Sequence, residues 1–163
     1  MKDKTNAPAD AGISALGGKY LTFVLNREDY GIDIHRIKEI IGMMDITTVP
    51  RTPAHIKGVI NLRGKVIPVI DLRIRFSMPA QDYTDKTCIV VVEMDQDGTT
   101  LLLGMVVDSV SEVLTVPGEA VGPPPAFGAA VTTDWILGLA KMDSGVKILL
   151  DIEAVVGDTN LTA

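Results

Sequence analysis

The chain has 163 residues, 47% of them hydrophobic but only 4% aromatic, and a formal net charge of -6. That allows one domain with an aliphatic core, or two small lobes sharing one, and excludes a large multidomain enzyme. A single cysteine, Cys88, excludes an intramolecular disulfide and a cysteine-based zinc site; its apolar run through Val92 reads as a buried thiol.

Residues 1–18 are polar and rich in small side chains, without the apolar stretch that a signal peptide or spanning helix needs, so they read as a flexible tail on a cytoplasmic protein. Tyr20–Leu25 is β-branched and aromatic, and after the turn-prone Asn26-Arg27-Glu28-Asp29 a second extended run starts at Tyr30, which predicts a hairpin. Ile34, Ile37, Ile40 and Ile41 suit either a helical turn or a strand leaving a bend, and their spacing does not separate the two. Arg51-Thr52-Pro53 breaks regular structure. Val59–Leu62 and Val66–Leu72 then predict a second hairpin around Arg63-Gly64-Lys65, with Gly64 able to take a positive φ as a structural turn residue. Asp71 is placed to cap a short helix over Leu72–Phe76, which Pro79 terminates.

The second half repeats the first. The ten residues from Gly31 to Ile40 match those from Gly104 to Val113 in the glycine, the glutamate and most apolar positions. Ile56-x-Gly58-Val59 and Val66-x-x-Val69-Ile70-Asp71-Leu72 recur as Ile136-x-Gly138-Leu139 and Val146-x-x-Leu149-Leu150-Asp151-Ile152. Each copy is too small to bury a core alone, so the pattern predicts two similar β lobes packed together. The connection between them is placed at 77–86, and the run Pro123-Pro124-Pro125 falls in a loop of the second lobe.

Arg51, Lys57, Arg63, Lys65, Arg73 and Arg75 crowd a segment that holds one acid, Asp71. No aromatic residues interleave for base stacking, which argues against nucleic acid and for an acidic protein partner. A solvated hairpin edge guarded by charge explains the same composition. Catalytic chemistry finds little support. The two histidines, His35 and His55, belong to no metal-ligand motif, and no phosphate-binding or nucleophile-elbow string occurs. Asp33, Asp71, Asp108 and Asp151 could pair as acid and base in a small β-barrel enzyme, but the repeat puts them at structural positions, two at helix caps.

The strings Tyr30-Gly31-Ile32-Asp33-Ile34, Lys38-Glu39-Ile40, Asn61-Leu62-Arg63-Gly64 and Val66-Ile67-Pro68-Val69-x-Asp71-Leu72 together resemble the CheW family, in order from about Tyr20 to Val156. The resemblance implies an all-β fold of two five-stranded, SH3-like barrels over 19–157, divided at about 80/81, with a C-terminal tail at 158–163. It implies a non-catalytic adaptor of bacterial chemotaxis, without cofactor or metal, or one serving a non-motility chemosensory pathway. Its partners would be the regulatory domain of the histidine kinase CheA and the cytoplasmic helical hairpin tip of a chemoreceptor. The protein itself would not insert in the membrane.

By the same resemblance, Ile37, Val110 and Val113 match an apolar groove between the barrels that receives the receptor helix. Glu39, Lys57, Gly58 and Arg63 match polar or backbone positions beside the receptor and kinase contacts, with Glu39 and Arg63 able to pair. Ordinary core is the alternative for the apolar trio, and hairpin solubility for Arg63.

Overall fold

The computed structural model describes residues 9–124 and 134–157. Its elements are α1 (Ala9–Ser14), β1 (Gly18–Leu25), β2 (Glu28–Asp33), β3 (Ile37–Gly42), β4 (Ile56–Leu62), β5 (Lys65–Asp71), α2 (Leu72–Arg75), β6 (Cys88–Gln96), β7 (Thr99–Val107), β8 (Ser109–Val116), β9 (Val121–Gly122), β10 (Ile136–Met142), β11 (Gly145–Leu150) and α3 (Ile152–Val156). The molecule is all-β with a few short helices, in two sheets. One has the order β8-β1-β2-β11-β10-β9, the other β3-β6-β7-β5-β4.

The two orders are the same order. Under the repeat β8 matches β3, β1 matches β6, β2 matches β7, and β11 and β10 match β5 and β4. Beside β4, Thr47 bridges Val59 at the place where β9 pairs Gly122 with Leu139 of β10. Both sheets contain one parallel pairing at the same site, Leu149 opposite Gly31 and Val69 opposite Gly104. A Cβ on Gly104 would lie 2.8 Å from Ile89 and 3.3 Å from Val69, and one on Gly31 would lie 3.1 Å from Leu149, which is why both copies have glycine there.

The strands do not divide at 80/81. After β2 the chain crosses to the other sheet to make β3, β4 and β5; after β7 it crosses back to make β8 to β11. Each sheet therefore joins a hairpin of one copy to the later strands of the other. The repeat identifies the units but cannot show the exchange, because swapped and unswapped pairings bury the same apolar pattern.

That pattern is read on both faces. In β6, Val90 and Val92 enter a large cluster shared between the sheets, with Leu21, Phe23, Leu25 and Ile32 of the other sheet, while Ile89 and Val91 enter a second cluster with Ile60, Ile67 and Val69. A third cluster, around Tyr20, Val116, Val121, Ala140 and Leu149, lies on the six-stranded sheet. Burial on both sides explains an unbroken apolar strand, and each fully buried aliphatic side chain contributes about 1.5–3 kcal/mol.

Several local expectations are refined. The N-terminal tail is not wholly irregular: α1 ends at Ser14, and Ile13 and Leu16 rest on the third cluster. Ile34–Arg36 forms a 3-10 turn and β3 follows at once, so both readings of the isoleucine spacing apply in succession. Asp71 caps α2 by accepting from the Arg73 N–H, and Asp151 caps α3 through the Ala154 N–H. Cys88 is half-buried rather than buried, because β6 begins there at the sheet margin; burial still pushes its thiol pKa up, against a backbone hydrogen bond from Val110. Pro125 and the tail at 158–163 lie outside the described residues.

Candidate protein-interaction site

β3 and β8 each lie at one edge of their sheet, directly after a crossing. Ile37 sits opposite Val92 of β6, and Val110 opposite Phe23 of β1. Both are half-buried and both rest on the cluster shared between the sheets. Val113 differs from them. It is 51% exposed, as is its repeat mate Ile40 at 44%. The two edge strands thus carry aliphatic groups on the core margin and others in solvent, a surface suited to an apolar helix. β8 is fixed against β1 by buried Thr22, whose hydroxyl donates to the Glu112 carbonyl at 2.7 Å and accepts from the Glu112 N–H at 3.2 Å, at the register shift between Leu21 and Phe23.

The polar candidates separate. Arg63 and Glu39 form an ion pair that links the β4–β5 turn to β3, with the Arg63 side chain 70% exposed. Both central residues of that turn have positive φ, 52° at Arg63 and 88° at Gly64, the type I′ pattern, and the Gly64 N–H donates to Asn61 Oδ1 at 2.8 Å. Lys57 places its ammonium 5.8 Å from the Tyr83 ring centroid. Gly58 is not available as a surface contact: it is buried at φ +144°, and a Cβ there would lie 2.0 Å from the Thr47 carbonyl oxygen. Its role is to let Thr47 approach β4.

The basic island is smaller than its composition suggests. Arg73 is buried, with Nε and Nη2 donating to the two carboxylate oxygens of Asp108 at 2.8 Å each and Nη1 to the Pro79 carbonyl at 2.7 Å. Arg75 donates to the Val155 carbonyl and lies 4.9 Å over the Trp135 ring. Arg51, Lys57, Arg63 and Lys65 remain at the surface or near it. The four aspartates are occupied structurally: Asp33 accepts from the His35 N–H, Asp71 and Asp151 cap helices, and Asp108 holds Arg73. Burial would raise the Asp108 carboxyl, but Arg73 and the Asn26 N–H outweigh it, and it sits below the usual carboxylate range.

A family model described as a CheW-like domain matches residues 19–160. The chain belongs to the CheW family. Its relatives include a chemotaxis protein CheW of Klebsiella aerogenes, 37% identical over 146 residues that cover 90% of this chain and 86% of that one. A chemotaxis protein CheW of Bacillus subtilis is 32% identical, with 85% and 86% covered. The crystal structure of the scaffolding protein CheW of Thermoanaerobacter tengcongensis superposes with a TM-score of 0.78 at 33% identity, covering 90% of this chain and 98% of that one. A CheW-family chain is a scaffold of chemotaxis, and the fold of two β subdomains is the family's. Among the described residues, no helix is long and apolar enough to cross a membrane.

Within the CheW domain, Ile40, Val66 and Val146 are further exposed aliphatics, none of them among the contacts expected from the sequence. The signal was present in the repeat. Ile40 is the mate of Val113, and Val66, 69% exposed, is the mate of Val146 at 51%, so whatever solvates one copy solvates the other.

Proposed function

We propose that this CheW-family protein couples the cytoplasmic helical hairpin tip of a chemoreceptor to the regulatory domain of the histidine kinase CheA, by binding alone and without turnover. The receptor helix lies along β3 and β8 at the junction of the sheets, with Ile37, Val110 and Val113 as apolar anchors and Ile40 beside them. Arg63, Glu39 and Lys57 flank the receptor and kinase contacts, and the protein works in the cytoplasm, at membrane-associated receptor arrays. The observation that carries this reading is the repeated aliphatic surface on two edge strands that share one core. Large apolar side chains in solvent on a chain whose core is otherwise complete call for a partner.

The test is a pair of titrations of the Val113→Lys variant, one against a receptor-tip fragment and one against the kinase regulatory domain. Val113 is half exposed, so its melt should move little. Receptor affinity should fall about tenfold or more while kinase binding persists. Undiminished receptor binding would remove Val113 from the contact and the edge-strand surface with it.

A further inference from the structure

The two crossings between sheets are each tied to a short helix of the other copy, and the ties have opposite polarity. At the first, Arg36 beside β3 meets Glu153 of α3 at 3.3 Å, with side chains 37% and 46% exposed. At the second, Asp108 beside β8 meets Arg73 of α2, buried and doubly bonded. Glu153 is the repeat mate of Arg73, and Ser109, next to Asp108, is the mate of Arg36. At the first crossing the tie to the helix is a single exposed ion pair, on a turn that Asp33 caps through the His35 N–H. The other is held from three sides, because Asp108 Oδ2 also accepts from the Asn26 N–H at 2.9 Å, the Asp108 N–H donates to the Val24 carbonyl at 3.1 Å, and Arg73 Nη1 ties the assembly to Pro79.

We infer that Arg73 and Asp108 are positioning residues for receptor recognition: they fix the start of β8, and with it Val110 and Val113, without touching the partner. This rests on the proposed use of β8. Val110 lies two residues past Asp108 on an edge strand paired on one side only, so the direction of the strand as it leaves the corner sets where Val110 meets the core margin. Charge-assisted, bidentate hydrogen bonds in a buried setting are the strong and directional kind, and an anchor held in place needs no ordering when its partner arrives. At the β3 corner the tie to the helix is one exposed pair, which contributes less.

The experiment compares Asp108→Asn and Arg73→Lys with the parent and with Val113→Lys, in the full chain. Affinity is measured for a receptor-tip fragment and for the kinase regulatory domain, and amide hydrogen exchange is followed in the free protein. Expected for both corner variants are faster exchange in β8, unchanged exchange in β10 and β11, receptor affinity lowered about tenfold, the scale of coupling through a supporting residue, and kinase affinity changed less than about twofold. Arg73→Lys keeps the charge but not the fork, so it carries the comparison if Asp108→Asn fails to fold. Equal loss toward both partners, or normal receptor binding by the corner variants while Val113→Lys loses it, overturns the positioning role alone. Normal receptor binding by Val113→Lys overturns the reading on which the role depends.

Discussion

The internal repeat offers a controlled comparison between a buried ion pair and an apolar pair. In β11, Lys147 is 5% exposed and its ammonium lies 2.6 Å from Asp29 of β2. The mates of these two residues are Ile67 of β5 and Leu102 of β7, which pack together in the second cluster. One scaffold thus solves the same position in two ways. Taking charges out of water costs several kcal/mol per ion, and a close pair recovers much of it without a clear surplus. Replacing Asp29 with Leu strands an ammonium whose side chain is 6% exposed, and should cost about 3–5 kcal/mol. In a domain of this size that lowers the melting temperature by about 6–20 °C. Replacing Lys147 with Ile strands a carboxylate that is one-third exposed, which water can still reach, and should cost about 1 kcal/mol. The double variant rebuilds the Ile67–Leu102 solution and should be neutral to about 4 kcal/mol more stable than the parent. Urea denaturation of the four proteins closes a double-mutant cycle. Equal losses in the two single variants, or a double variant less stable than either, would refute the reasoning.

Two glycines should respond for different reasons. In Gly58→Ala the new Cβ meets the Thr47 carbonyl oxygen at 2.0 Å, so the Thr47–Val59 bridge must open, at about 3 kcal/mol or more. Gly64→Val has open space and only the positive φ to satisfy, at about 1–2 kcal/mol. Calorimetry should rank the melting points parent, Gly64→Val, Gly58→Ala, and the reverse order for the variants contradicts the close approach. All three tyrosines should titrate late. Burial raises Tyr20 and Tyr30, helped by Asp33 and Glu28, and burial with Asp71 pushes Tyr83 up to about 12. A raised folded pKa means the folded state holds the proton more tightly, so this stability is present below the ordinary value of about 10 and is lost as pH rises toward 12. Phenolate absorbance of the native protein at pH 10 should show well under half of the tyrosine ionised, and half-titration at or below that pH would contradict it.

The sequence made much of this fold legible, because apolar β-branched runs, a turn glycine and a capping aspartate are local signals. Asp71 shows it well, expected as a cap from the residues next to it and found capping, and Asp151 follows from it through the repeat. What stayed hidden is long-range. Nothing near Asp33 or Val107 reveals that the next strand joins the other sheet, since an edge strand of either sheet offers the same ladder and the same apolar face. Arg73 reads as one more surface cation in the sequence because its acid lies 35 residues away, at Asp108. Gly58 reads as a binding position by family resemblance because a close backbone approach leaves no mark on composition. Ile40 is solvated like its mate Val113, an equivalence carried by the repeat and by no local motif.

The exchange between the copies bears on where a binding surface can form. A half-chain folding alone would hold a hairpin whose later strands belong to another sheet, so both faces of β1 or β6 would lack part of their cover. Assembly of the two copies completes both sheets at once and leaves β3 and β8 as the edges beside the shared core. The surface proposed to meet the receptor is therefore built by strands that each depend on both copies for position. The copies diverge where equivalent interactions can replace one another, as with Lys147–Asp29 for Ile67–Leu102 and the inverted helix-to-corner ion pairs. They agree where geometry has one solution, at Gly31 and Gly104 beside the parallel pairings and at the aspartate before α2 and before α3. Divergence at the two crossings ties the β8 corner to its helix by a buried bidentate pair and the β3 corner to its helix by an exposed one.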